Sequence, residues 1–203
     1  MTIHIHQDDI PSNVDFGDIV AIDTETMGLN HSRDRLCLVQ ISSGDGDAHL
    51  VKINKPIKRC PNLKALLENT NVTKVFHFAR FDISCLSHNI GTVNGPIYCT
   101  KIASRLVRTY TDRHGLKDLC RELLKIDISK QQQSSDWGAQ TLSPEQADYA
   151  AGDVIYLHEI RSRLNLMLER EGRTDLAEQC FAFLPTQSKL DLCGFIDEDI
   201  FHH

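Results

Sequence analysis

Two carboxylates two positions apart, Asp23 and Glu25, end the apolar run Ile19-Val20-Ala21-Ile22 and are the residues best suited to chemistry. The run is β-branched and continuous, as in a central strand covered on both faces. Alternate strand side chains share a side, so Asp23 and Glu25 face one way and Thr24 the other. Like charges held this close oppose joint ionisation unless something positive sits between them. A divalent cation meets that need, and hard oxygen donors suit Mg²⁺ or Mn²⁺. Read alone, the same three residues also fit a strand that ends in a polar turn. Further chemistry-bearing residues follow at Asp82, in the first turn of a helix, and at Tyr149 and Asp153, four apart and therefore on one helix face.

The elements that must position these groups follow from periodicity and punctuation. Residues 36–41 and 49–53 read as two more strands joined by the turn Ser43-Gly44-Asp45-Gly46-Asp47, which implies three strands in antiparallel succession. Pro61 opens a helical pattern, residues 72–77 return to strand character, and residues 79–90 carry apolar positions at helical spacing with Gly91 as a stop. Asp82 thus sits just after a strand, at the kind of junction where open α/β sheets build their sites. A short strand at 96–100 precedes helical runs at 101–110 and 116–125, and residues 130–138 have no period and read as a loop. Ser143, Pro144 and Gln146 form a capping-box start for a helix predicted to run to Glu171, with a core stripe through Tyr156, Leu157, Ile160 and Leu164.

Composition bounds the class. The chain has 203 residues, 41% hydrophobic and 25% charged, which suits one soluble α/β domain over 1–203. No apolar run approaches membrane-spanning length and the N-terminus has no signal-peptide character, so a cytoplasmic protein is expected. Seven cysteines with no C-x-x-C pair argue against a disulfide framework or a zinc site. The net charge of −6 disfavours holding a long polyanion by many phosphate contacts. Positive charge is concentrated from Lys101 to Lys130, where eight basic residues face four acidic ones, although for most of them a solvated helix face is the plainer reading.

The order strand D-x-E, helix-start Asp and helical Y-x-x-x-D resembles the DEDDy subgroup of the DnaQ-like 3′-to-5′ exonucleases, matched by Asp23-Thr24-Glu25, Phe81-Asp82 and Tyr149-Ala-Ala-Gly-Asp153. Within it the text is similar to the ribonuclease D-like group, and most of all to nano-RNase C. That likeness is carried by Asp34-Arg-Leu-Cys-Leu-Val-Gln40, His77-Phe-Ala-Arg-Phe-Asp82, Thr109-Tyr-Thr-Asp-Arg-His-Gly115 and Ser129-Lys-Gln-Gln-Gln-Ser-Ser-Asp-Trp137. The resemblance implies an RNase H-like fold with a mixed five-stranded sheet flanked by helices, and no helical HRDC domain.

It also implies the chemistry: two divalent cations, Mg²⁺ or Mn²⁺, held by Asp23, Glu25, Asp82 and Asp153, with Tyr149 orienting the attacking water. Expected substrates are short RNAs, 5′-phosphorylated dinucleotides above all, and the expected assembly is a homo-oligomer, octameric by resemblance, with no membrane partner. General exonuclease action on longer RNA or DNA, and hydrolysis of small phosphoesters, are the alternatives. Leu29 matches an apolar wedge between terminal bases, or packs after a glycine turn. Thr24, His77 and Phe78 are candidates for contacts to a terminal sugar or base. Lys101, Arg108, Gln133 and Trp137 complete the candidate substrate contacts, the two basic residues as captors of a 5′-phosphate and Trp137 as a base platform or, more plainly, a core anchor.

Overall fold

The computed structural model describes residues 1–31, 33–57, 59–129 and 131–202. Lys130, the far end of the basic stretch, lies outside the described residues. Six strands form one mixed sheet: β1 (Thr2–Gln7), β2 (Ile19–Thr26), β3 (Leu36–Ser42), β4 (Asp47–Lys52), β5 (Thr73–Phe76) and β6 (Ile97–Cys99), in the order β1-β4-β3-β2-β5-β6. The pairs β2/β3 and β3/β4 are antiparallel, as the turn residues between them require, while β2/β5, β5/β6 and β1/β4 are parallel.

The sheet has one strand more than the five expected. The extra strand, β1, alternates isoleucines with His4 and His6 and lies at an edge, beyond the run of apolar strands that signals the sheet centre. Among the described residues, seven helices surround the sheet: α1 (Pro61–Glu68), α2 (Ala79–Asn89), α3 (Thr100–Val107), α4 (Leu116–Leu119), α5 (Pro144–Ile155), α6 (Leu157–Arg170) and α7 (Thr174–Leu190), with π-helical turns at Cys120–Leu124 and Asp191–Phe195. The helix predicted from 144 to 171 is therefore two. Tyr156, with φ −90° and ψ −10°, interrupts the ladder while staying near helical geometry. The apolar period passes through such a break unchanged, so the sequence pattern does not register it.

Strand β3 is buried along its whole length and β2 through Val20, Ala21 and Ile22, as the continuous apolar runs demand. They form the floor of a core that includes Val20, Ile22, Val39, Ile41, Phe76, Ile83, Val154 and Leu157. A smaller cluster of Cys37, Leu38, Leu50, Trp137, Ala147 and Ala150 seats α5 on the sheet. All seven cysteines are free thiols. Among the described residues, no helix is long and apolar enough to cross a membrane.

Candidate active site

Each acid reaches the site for a local reason. Strand β2 runs past the end of β5, and its pairing with β3 shifts register between Glu25 and Thr26, so the strand bends away immediately after delivering both carboxylates. Helix α5 begins with the capping box read from the sequence: Ser143 accepts from the Gln146 backbone and Gln146 accepts from the Ser143 backbone. That fixed start places Tyr149 and Asp153 one above the other, facing β2. Helix α2 starts differently. Its first turn follows Phe78, whose φ of 70° lies in the left-handed region and whose side chain caps nothing.

These elements converge on a cleft of about 380 Å³ lined by Asp23, Thr24, Glu25, Leu29, His77, Phe78, Phe81, Asp82, Lys101, Lys117, Gln133, Tyr149 and Asp153, with residues 115–116 and 128–129 closing the rim. One carboxylate oxygen each from Asp23, Glu25 and Asp153 lies within 4.8 Å of the others, the one such potential metal-holding group among the described residues. Asp82 stands slightly apart and accepts a hydrogen bond of 2.7 Å from the Thr24 hydroxyl. Tyr149 donates its hydroxyl to Asp153.

The electrostatics are those of an uncompensated acidic cluster. Burial first, and then repulsion from Asp82, Asp153 and Glu25, hold Asp23 well above the usual carboxylate range. Burial and the charges of Asp153 and Asp82 push Glu25 up to about 9. Burial raises Asp82 to about 7 even though Thr24 pulls the other way. Tyr149 is also pushed upward, by burial and by the neighbouring carboxylates, so its phenol stays protonated at neutral pH. A set of hard oxygen donors that resists losing its protons in the absence of cations fits a divalent metal site.

The remaining predicted residues divide. Leu29 is 81% exposed and lines the cleft without packing into the core. His77 bonds Thr100 through Nδ1 at 2.9 Å, and Phe78 carries the Lys101 ammonium 4.2 Å above its ring. Gln133 is exposed on the rim. Thr24 lines the cleft, and its hydroxyl is committed to Asp82, which makes it a support for that acid.

Arg108 is a correction. It is buried, and its guanidinium is spent on Glu122, Ser104 and the Arg113 carbonyl, away from the cleft. A helix-end arginine and an acid fourteen residues on give no sequence pattern that would reveal this pairing. Trp137 is another. It is 2% exposed, sits in the core beneath α5 and packs on Tyr149 at a ring separation of 5.9 Å, so it backs the tyrosine and is no base platform. One participant was missed as a site residue: Gln40, opposite Asp23 in the β2/β3 ladder, is fully buried and donates to Asp23 at 3.3 Å. A polar residue inside an otherwise apolar strand was the available signal.

Residues 8–169 match the family model for 3′-5′ exonuclease domains. The chain belongs to the 3′-5′ exonuclease family. Among curated members, ribonuclease D of Jannaschia sp. (strain CCS1) is 36% identical over 169 residues, covering 81% of this chain and 43% of that protein. Ribonuclease D of Acidiphilium cryptum is 36% identical over 156 residues, covering 77% and 39%. The chain thus spans about two fifths of the length of these relatives. Among solved structures, Brucella melitensis NrnC with bound Mg²⁺ is 55% identical with a TM-score of 0.95 over 100% of both chains. The same protein bound to pGG is 56% identical, with a TM-score of 0.96 over 100% of this chain and 99% of that one. Escherichia coli RNase D, at 24% identity and a TM-score of 0.75 over 84% of this chain and 45% of that one, shares the fold.

Proposed function

We propose that this chain is a metal-dependent 3′-5′ exoribonuclease that hydrolyses short RNA, dinucleotides above all, to 5′-mononucleotides in the cytoplasm. The observation that carries the reading is the convergence of Asp23, Glu25, Asp82, Asp153 and Tyr149 in one small cleft. Two further points support it. Brucella NrnC, alike over the whole chain, was solved with Mg²⁺ and with pGG. A cleft of about 380 Å³ has the size of a small-ligand site.

Asp23, Glu25 and Asp153 would hold one divalent cation, Mg²⁺ or Mn²⁺, and Asp82 with Asp23 a second. When bound, such ions supply the charge that acidifies a water and offsets a leaving oxyanion. The protein does the rest. Tyr149, protonated and backed by Trp137, offers its hydroxyl beside Asp153 and orients the attacking water, a role that needs no ionised phenol. Leu29 at the mouth separates the two bases, and Phe78 and His77 meet the terminal nucleoside. Lys101 replaces Arg108 as the captor of the 5′-phosphate, because its ammonium lines the cleft while the arginine is buried elsewhere. Most of the other positive charge between 101 and 129 is paired internally: Lys117 with Asp127, Arg121 with Asp118, and Lys125 with the Glu122 carbonyl.

Assembly into a homo-oligomer is part of the same reading, supported by the exposed Phe195, Ile196, Ile200 and Phe201 near the C-terminus. Light scattering checks it directly, a monomer mass at micromolar concentration counting against it. The deciding experiment for function compares kcat/KM for pGG, unphosphorylated GG and a heptamer, each followed by release of the 3′-terminal mononucleotide. A clear preference for pGG is expected. Equal values for all three would identify a general exonuclease without an end-capping site.

A further inference from the structure

We propose that Arg80 is a positioning residue: paired with Asp191, it fastens the C-terminal segment of the chain to the first turn of α2 and so sets the place of Asp82. This rests on Asp82 belonging to the active site.

Helix α2 lacks the local devices that fix a helix start. No side chain caps it, and Phe78 before it adopts a left-handed backbone that side chains beyond glycine and asparagine rarely take. Its first turn must be held by tertiary contacts. On the sheet side, Thr24 holds Asp82. On the other side, Arg80 grips Asp191 with two parallel bonds, Nε to Oδ2 and a terminal nitrogen to Oδ1, both 2.7 Å, and donates to the Ile196 carbonyl at 2.8 Å.

The Asp191 side chain is fully buried and also accepts from Gln187 at 3.0 Å, so it has one orientation. One helical turn along, the buried Ser84 and Ser188 hydroxyls bond at 3.0 Å. These contacts define a rigid joint. Bidentate arginine–carboxylate geometry fixes direction as well as distance, and Asp82 follows Arg80 by two residues on the same turn. Phe81, between them, packs against His31 at a ring separation of 4.7 Å, which ties the loop bearing Leu29 to the same joint.

The partner in this joint comes from a part of the chain that the family model does not reach. That model ends at residue 169, whereas Asp191 follows α7. The C-terminal segment therefore acts as a brace and supplies the anchor for one carboxylate of the site.

The test uses Arg80→Gln, Arg80→Lys and Asp191→Asn with Asp82→Asn as reference, measuring kcat and KM on pGG and hydrogen exchange of residues 79–84 in the metal-free protein. We expect Arg80→Gln and Asp191→Asn each to lower kcat by about tenfold or more, since sub-ångström misplacement of a reacting group is costly. KM should stay within about threefold, the amides of 79–84 should exchange faster, and the Arg80→Gln/Asp191→Asn double variant should be no worse than the poorer single. Arg80→Lys, which retains one contact, should recover part of kcat. Unchanged kcat with faster exchange would make the joint structural only and overturn the proposal, as would unchanged exchange. Full activity in Asp82→Asn would instead overturn the reading of the site and leave the exchange result standing.

Discussion

The Thr24 hydroxyl donates to the Asp82 carboxylate at 2.7 Å, across the gap between the strand that carries two of the acids and the helix that carries another. The bond favours the ionised form of a carboxyl that burial still holds up at about 7. Thr24→Val keeps the shape and removes the donor. We expect kcat to fall about tenfold, equivalent to about 1.4 kcal/mol of transition-state stabilisation, with KM little changed and Thr24→Ser close to wild type. Steady-state kinetics on pGG decide the matter: a loss confined to KM would return Thr24 to the substrate contacts.

Asp23→Ala, Glu25→Ala and Asp153→Ala should each abolish turnover while leaving the metal-free fold as stable as before or more so. The three oxygens within 4.8 Å repel one another without a cation, so deleting one relieves strain as it removes a ligand. Thermal unfolding in chelator and a turnover assay in Mg²⁺ test both halves. Retention of more than about a tenth of wild-type activity by any variant, a barrier change below about 1.4 kcal/mol, would refute the assignment.

The metal-free protein should lose stability as pH rises from 7 to 9. The unfolded chain ionises Glu25 near its ordinary value, whereas the folded chain holds the proton up to about 9, so the native state binds more protons in this window and stability falls with pH. Lys74, buried and held near 8, acts in the opposite sense above that pH. Urea unfolding of wild type and Glu25→Gln in chelator separates the two. Glu25→Gln should show a shallower fall, and Mg²⁺ should flatten that of wild type. A steeper fall in the variant would contradict the protonated cluster.

Tyr149→Phe should lower kcat far more than it alters KM, because the ring keeps its packing on Trp137 and only the hydroxyl beside Asp153 is lost. A pH–rate profile should show no phenol ionisation near neutrality in wild type. If the variant's defect sits in KM, the hydroxyl binds substrate.

Arg108 and Lys101 should separate stability from recognition. Arg108→Ala removes a buried guanidinium that satisfies Ser104, Glu122 and the Arg113 carbonyl, and should destabilise the fold by about 2 kcal/mol or more. Its preference for pGG over GG should survive in the folded fraction. Lys101→Ala should do the reverse, keeping the melting temperature and reducing the ratio of kcat/KM for pGG over GG. A lost preference in Arg108→Ala at intact stability would restore the sequence-based assignment.

Much of this could be read from the chain. The central strands announce themselves by unbroken β-branched runs, α5 by its capping box, and the relative placement of Asp23 and Glu25 by strand alternation alone. What stayed hidden depends on contacts between residues far apart in sequence. The edge strand β1 has half its alternation occupied by histidines, which masks it. Arg108 looks like any basic residue at a helix end until Glu122 is folded onto it. Trp137 sits in an aperiodic, polar loop, and nothing local says that its ring turns inward under α5. Asp191 gives no sign that it meets Arg80, because their separation of 111 positions leaves no periodic trace.

The register shift between Glu25 and Thr26 bears on how such enzymes diversify. A one-residue slip in a regular ladder would turn Asp23 and Glu25 to the wrong side of the sheet. Here the irregularity lies beyond both acids and before the loop of residues 27–35, so an insertion or deletion in that loop is absorbed downstream of the carboxylates. The segment that carries Leu29 at the cleft is thereby free to change length over evolutionary time while the carboxylates keep their alignment. Heredity can retune what enters the cleft without rebuilding what cuts.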